Sequence, residues 1–145
     1  MTEVDSPHSS EPRPGLTIEL EAVDLDRDGK GLARWNNWVI VVPDLLPGER
    51  ATVQLQQRQK SRWLSRRVDQ ITFSADRRRP PCILADDCGG CTLQRLDDPA
   101  QTRWKAQQIQ QTMQRIGGID VVPAATLVDD ERCFGYRNRA LIPLK

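Results

Sequence analysis

A chain of 145 residues, 38% hydrophobic and 28% charged, is too short and too polar for one large core, and suits one ordinary domain or two very small ones. No stretch approaches the roughly 20 apolar residues of a membrane-spanning helix, and the opening MTEVDSPHSSEPRPG is polar and acidic, unlike a signal or transit peptide. The formal net charge of +1 conceals an asymmetry: residues 1–49 carry ten acids against four Lys/Arg, whereas residues 50–79 carry nine Lys/Arg against Asp69 and Asp76.

Residues 1–15 read as a disordered leader. From Leu16 to about Thr72, short strands alternate with turn chemistry: LTIELEAV, a DRDGKG turn, GLAR, an Asn36-Asn37 break, WVIVVP, and a turn at Leu46-Pro47-Gly48. ATVQLQQRQ and RWLSRRVDQI follow, flanking a basic tip at Arg58, Lys60 and Arg62. Five strands in so short a span, with no helical signal between them, predict a small closed barrel of the OB type.

The turn DLDRDGKG places Asp24, Asp26, Asp28 and Gly29 where a helix–loop–helix calcium site has its first ligands. The last position of such a loop is Trp35, where a bidentate Glu is needed, and the preceding segment reads as a strand. An ordinary acidic β-turn is the better account.

Arg50, Arg58, Lys60, Arg62, Arg66 and Arg67 follow one another with no intervening acid, and Trp63 lies among them. On a small barrel, such a cationic groove can follow the phosphates of a single strand, and an aromatic side chain can stack an unpaired base. The six cations are therefore candidate RNA contacts. Trp63 is expected in the core.

Next comes RPPCILADDCGGCTLQ, residues 79–94, with Cys82, Cys88 and Cys91 at a C-x5-C-x2-C spacing. In a reducing cytoplasm clustered thiols are metal ligands or catalysts rather than disulfides. Zinc takes four ligands, usually as paired C-x2-C knuckles or thiolates with a histidine, but only Cys88 and Cys91 form a close pair and the single histidine, His8, lies in the leader. A 4Fe–4S cluster takes one thiolate per iron and accepts three close cysteines with a distant fourth. Iron and sulfide are favoured.

From Asp98 the sequence turns helical, with Pro99 at the first turn and Gly117-Gly118 closing it. Ala106, Ile109, Met113 and Ile116 share one face, while Ala100 and Trp104 lie nearly opposite, predicting two buried sides.

The string DGKGLAR…VVPDLLPGE resembles the TRAM domain, an RNA-binding OB-type barrel. PPC-x5-CGGC-x-LQ, the Gln101…Lys105 helix ending in RIGG, and FGYRNRALIPL at 134–144 are similar to successive segments of the uracil-5-methyltransferases that modify 23S ribosomal RNA and related tRNA sites. The resemblance covers about residues 16–145. It implies a TRAM domain at 16–74, an iron–sulfur loop and helix at 75–120, and the start of a further domain at 121–145.

By the same resemblance, Cys82, Cys88 and Cys91 are cluster ligands, the fourth comes from outside this chain, and Cys133 is incidental. Arg137 and Arg139, with Tyr136 and Asn138, would contact RNA; an ordinary strand start reads equally well there. S-adenosylmethionine and the catalytic groups would belong to an absent downstream domain, so the chain is expected to be the RNA-guiding N-terminal fragment of an enzyme, cytoplasmic, monomeric and free of membrane. The alternative is a stand-alone TRAM RNA-binding protein without catalysis, holding a metal through all four cysteines.

Overall fold

In a computed structural model of the chain, residues 11–88, 90–123 and 134–135 are described. The chain divides into two compact units, Met1–Asp97 and Asp98–Lys145.

The first unit is built on five strands: β1 (Thr17–Leu25), β2 (Gly31–Trp35), β3 (Trp38–Val42), β4 (Arg50–Gln59) and β5 (Arg62–Gln70). They close into a barrel in the order β1-β2-β3-β5-β4, with β4 returning to β1. All pairings are antiparallel except β3 with β5, which run parallel with Ile40 opposite Trp63. This confirms the mainly β, OB-type barrel that the strand spacing predicts, and closure leaves no open sheet edge to pair with another chain.

Alternation explains why these segments are strands. Ile18, Leu20 and Ala22 of β1 and Ala51, Val53 and Leu55 of β4 point inward, with exposed or half-buried residues between them. They form one core with Ile40, Val42, Leu45 and Trp63, so Trp63 occupies the predicted interior position. Burial of each large aliphatic side chain contributes about 1.5–3 kcal/mol, which makes Ile18, Ile40 and Leu55 the strands' main anchors.

Two turns set the register. Pro47 and Gly48 occupy the centre of a turn closed by Glu49 N–H donating to the Leu46 carbonyl at 3.0 Å, with Gly48 at φ 80°, as a type II turn requires. In the DRDG turn, Asp26 Oδ1 accepts from the amides of Asp28 and Lys30, both at 2.9 Å, so this carboxylate serves the turn itself. Gly31 opens β2 where a Cβ would stand 2.4 Å from the Leu45 carbonyl oxygen, and only glycine permits that approach.

A bulge in β4 has a consequence for the surface. The register shifts between Leu55, opposite Ser65, and Gln57, opposite Leu64, so that Arg58 falls opposite the buried Trp63. Residues 56–62 are all exposed and project as the tip of the β4–β5 hairpin. Lys60 turns the chain there with φ 56°.

In the second unit, α1 (Asp98–Gly117) begins and ends as expected. Gly118, at φ 63°, donates to the Gln114 carbonyl at 3.2 Å, and Ile119 N–H reaches the Met113 carbonyl at 3.2 Å, a glycine-closed C-terminus. The expectation of two buried sides is not met. Ile109, Met113 and Ile116 are exposed, while Ala100 is buried and Trp104 half-buried. The described part of this unit contains no second element to cover that stripe. No helix among the described residues is long and apolar enough to cross a membrane.

Candidate nucleic-acid interface and cysteine loop

The six predicted RNA-contacting cations of the barrel divide into two groups. Arg50 pairs with Glu19 across the β1–β4 strands. Arg67 is half-buried and donates Nη2 to Asp44 Oδ2 at 2.7 Å and Nη1 to the Asp44 carbonyl at 2.7 Å. Both are held by acids from the first 49 residues. Arg58, Lys60, Arg62 and Arg66 instead lie exposed on the hairpin, with Arg66 Nε donating to the neutral Gln54 amide at 3.0 Å. The cationic surface is therefore narrower than the sequence run, and centred on the hairpin.

The aromatic group beside these cations is Trp38 rather than Trp63. Trp38 begins β3, packs half-buried against the core, and has the Arg58 guanidinium carbon 4.6 Å from its ring centroid. That distance lies within cation–π range. Arg58 Nε donates to the Lys60 carbonyl at 3.0 Å, so the hairpin turn itself holds the guanidinium over the ring. The parallel β3–β5 pairing, which sets Val39 opposite Arg62, brings Trp38 to the tip of a hairpin 20 residues later in sequence. Local periodicity carries no trace of that pairing.

An acid–arginine network joins the barrel to the cysteine loop. Glu49 is fully buried and accepts Arg77 Nε on Oε1 at 2.6 Å, Arg77 Nη2 on Oε2 at 2.8 Å, and the amides of Leu46 and Ser74 at 2.8 and 3.1 Å. Burial alone would raise its pKa; the Arg77 hydrogen bond, the two amides and the Arg77 charge outweigh that and hold it below the ordinary carboxylate value. Asp44, at φ 55°, meets Arg67, Arg77 at 3.2 Å and Arg95 at 2.6 Å, and Arg95 continues to Asp86 in the cysteine loop.

The loop is closed at its neck by main chain. Arg77 and Leu96 form an antiparallel bridge, Arg78 N–H donates to the Arg95 carbonyl at 2.8 Å, and Asp97 N–H donates to the Asp76 carbonyl at 2.9 Å. Inside the neck, the buried Gln94 accepts the Cys82 amide at 3.3 Å, and its carbonyl accepts Arg78 Nε at 3.1 Å. The DRDG turn rests on the loop: a Cβ on Gly29 would stand 3.1 Å from both Thr92 and Leu93.

Cys82, Cys88 and Cys91 are free and exposed. They are not gathered into a metal-holding group, and no such group of three His, Cys, Asp or Glu side chains occurs among the described residues. They are three accessible thiols within ten residues, on a loop whose neck is tied by the Arg77–Leu96 bridge, and thiolates are the donors that an iron–sulfur cluster takes. Cys133, Tyr136, Arg137, Asn138 and Arg139 lie outside the described residues.

The first unit is thus a closed OB-type barrel that carries an exposed cationic hairpin and a tethered loop with three thiols. No family model matches the chain. It is similar to an uncharacterized RNA methyltransferase of Parasynechococcus marenigrum, with 66% identity over 144 residues, 99% of this chain and 30% of that protein. Uncharacterized RNA methyltransferases of Synechocystis sp. and Listeria monocytogenes are 39% and 37% identical over 90% and 88% of the chain, each covered to 28%. The chain is thus similar to these RNA methyltransferases along nearly its whole length, and it spans about three tenths of the length of the curated relatives it matches.

Proposed function

We propose that this chain is the RNA-holding portion of an S-adenosylmethionine-dependent RNA uracil-C5 methyltransferase acting on 23S ribosomal RNA in the cytoplasm. The observation that carries the reading is similarity to RNA methyltransferases along nearly the whole chain. The exposed hairpin cations Arg58, Lys60, Arg62 and Arg66 supply the surface that RNA phosphates need. Methyl donor and reacting groups belong to the remaining length of such an enzyme. These residues hold RNA so that a uracil can be presented accurately, and accurate presentation is a large part of the barrier in a reaction between three partners.

Cys82, Cys88 and Cys91 would hold a 4Fe–4S cluster, completed by a ligand from outside these residues. Such a cluster supplies a cross-link and a compact negative charge. The chain's own contribution is the neck: the Arg77–Leu96 bridge and Gln94 fix where the loop leaves the barrel, and Arg95 joins it to Asp44.

Two measurements test the proposal. Replacing Arg58, Lys60 and Arg62 together by Ala should weaken single-stranded RNA binding and lower its salt dependence by about 0.7 per lost phosphate contact; an unchanged affinity and slope would reject the hairpin as the RNA surface. Anaerobic reconstitution should yield iron with acid-labile sulfide, both reduced in Cys88→Ala. Tightly bound zinc without sulfide overturns the cluster.

A further inference from the structure

We propose that Arg58, seated on Trp38, is the plane on which one unpaired RNA base stacks, so that base, guanidinium and indole form three layers at the hairpin tip. The inference rests on the RNA-binding reading above and adds to it a base-recognising element. Its ground is the difference between Arg58 and its neighbours. Lys60, Arg62 and Arg66 are exposed cations suited to phosphate oxygens, whereas Arg58 lies 4.6 Å above the centroid of a half-buried indole and donates Nε to the Lys60 carbonyl.

Three physical facts favour stacking there. A guanidinium is flat and weakly hydrated, and its faces accept an aromatic ring as readily as its edges accept a phosphate. Arg58 is exposed, so the side turned away from Trp38 meets solvent and offers that second face. The hydrogen bond from Nε to the turn and the ring beneath it hold the group in place before RNA arrives, which reduces the ordering cost of binding. The flanking cations lie on the same hairpin, with Gln59 opposite Arg62, so phosphates on either side of the stacked nucleotide have partners within the same turn.

A lysine retains the charge of Arg58 and lacks its plane, so Arg58→Lys separates stacking from phosphate attraction. The 145-residue chain would be titrated with short single-stranded RNA carrying one 2-aminopurine, whose fluorescence falls on stacking, and with the same RNA made abasic. For the native chain we expect quenching on binding and about tenfold weaker affinity for the abasic strand, the scale of one stacked base. Arg58→Lys should lose the quenching and bind both strands with the weaker affinity, while its salt slope stays that of the native chain. Equal quenching and affinity in native and Arg58→Lys proteins would overturn the stacking plane while leaving RNA binding intact. Failure of the native chain to bind either strand would instead overturn the RNA-binding reading and this inference with it. Because Trp38 packs on the core, Trp38→Phe rather than Trp38→Ala is the second variant; it should fold, retain the salt slope and show reduced quenching, and undiminished quenching in it would exclude the indole as the lower layer.

Discussion

Arg77 grips Glu49 from outside the barrel: its Nε and Nη2 reach the two oxygens of a carboxylate that has no exposure to solvent. The pair fastens the chain leaving β5 to the turn between β3 and β4. A buried carboxylate stripped of its guanidinium cannot recover its hydration, so Arg77→Ala should destabilise the chain by about 3–5 kcal/mol. Glu49→Gln should cost less, because the amide still accepts from Leu46 or Ser74. Urea denaturation of both single variants and the double variant gives the coupling; additive losses would show that the two side chains act independently.

Glu49 also dictates a pH response. Its folded pKa lies below the ordinary value of 4.5, so the unfolded chain binds the proton more readily. Its contribution is fully present above that value, declines as pH falls below it, and is gone beneath the folded pKa. The raised pKa of Arg77, where hydrogen bonding and charge outweigh burial, gives a contribution lost only in strong alkali. Denaturation midpoints of the native chain should therefore fall on acidification below about pH 4.5. In Glu49→Gln that acid limb should be shallower; an identical limb would assign it to other carboxylates.

Asp44 is the point at which three arginines from separate parts of the chain meet, Arg67 from β5, Arg77 from the neck and Arg95 from the far side of the loop. Its backbone is left-handed, a conformation that Asn tolerates. Asp44→Asn thus removes the charge and keeps the turn. The expected loss is roughly 1–3 kcal/mol, and hydrogen exchange should quicken at the Arg78 and Asp97 amides of the neck more than in β1. Uniform quickening across the barrel would mean that Asp44 supports the fold as a whole rather than the loop's attachment.

Much of this architecture can be read from residue order. Alternation in TIELEAV and ATVQL, the Pro47-Gly48 turn and the Asp98-to-Gly117 helix all follow from local rules, and the structure reproduces them. What local rules miss is partnership at a distance. The excess of acids before residue 50 and of arginines after it suggests a polyanion surface, yet Arg50, Arg67 and Arg77 turn to Glu19, Asp44 and Glu49. Part of the asymmetry is the protein neutralising itself across the barrel. The complementary counts were visible; which acid meets which arginine depends on closure. Trp38 escaped for the same reason, since its nearness to Arg58 depends on the β3–β5 pairing and the β4 bulge. The helix stripe at Ile109, Met113 and Ile116 shows the converse, a correct periodicity whose covering is not fixed by periodicity.

Adjacent arginines on β5 should separate structure from recognition. Arg66 is exposed and donates to the Gln54 amide, whereas Arg67 is half-buried against Asp44 and also donates to Gln70 at 2.8 Å. Arg66→Ala should leave stability within about 0.5 kcal/mol of native, as surface changes usually do, and reduce the salt slope of single-stranded RNA binding by about 0.7. Arg67→Ala should preserve that slope and cost about 1–3 kcal/mol of stability, because Asp44 loses a charged hydrogen-bond partner that water replaces incompletely. Thermal denaturation and a salt titration of RNA affinity on the same two proteins decide the matter. If Arg67→Ala were the variant to lose salt dependence, the Asp44 pairing would have to open on binding, and the RNA surface would extend from the hairpin tip down to the base of β5.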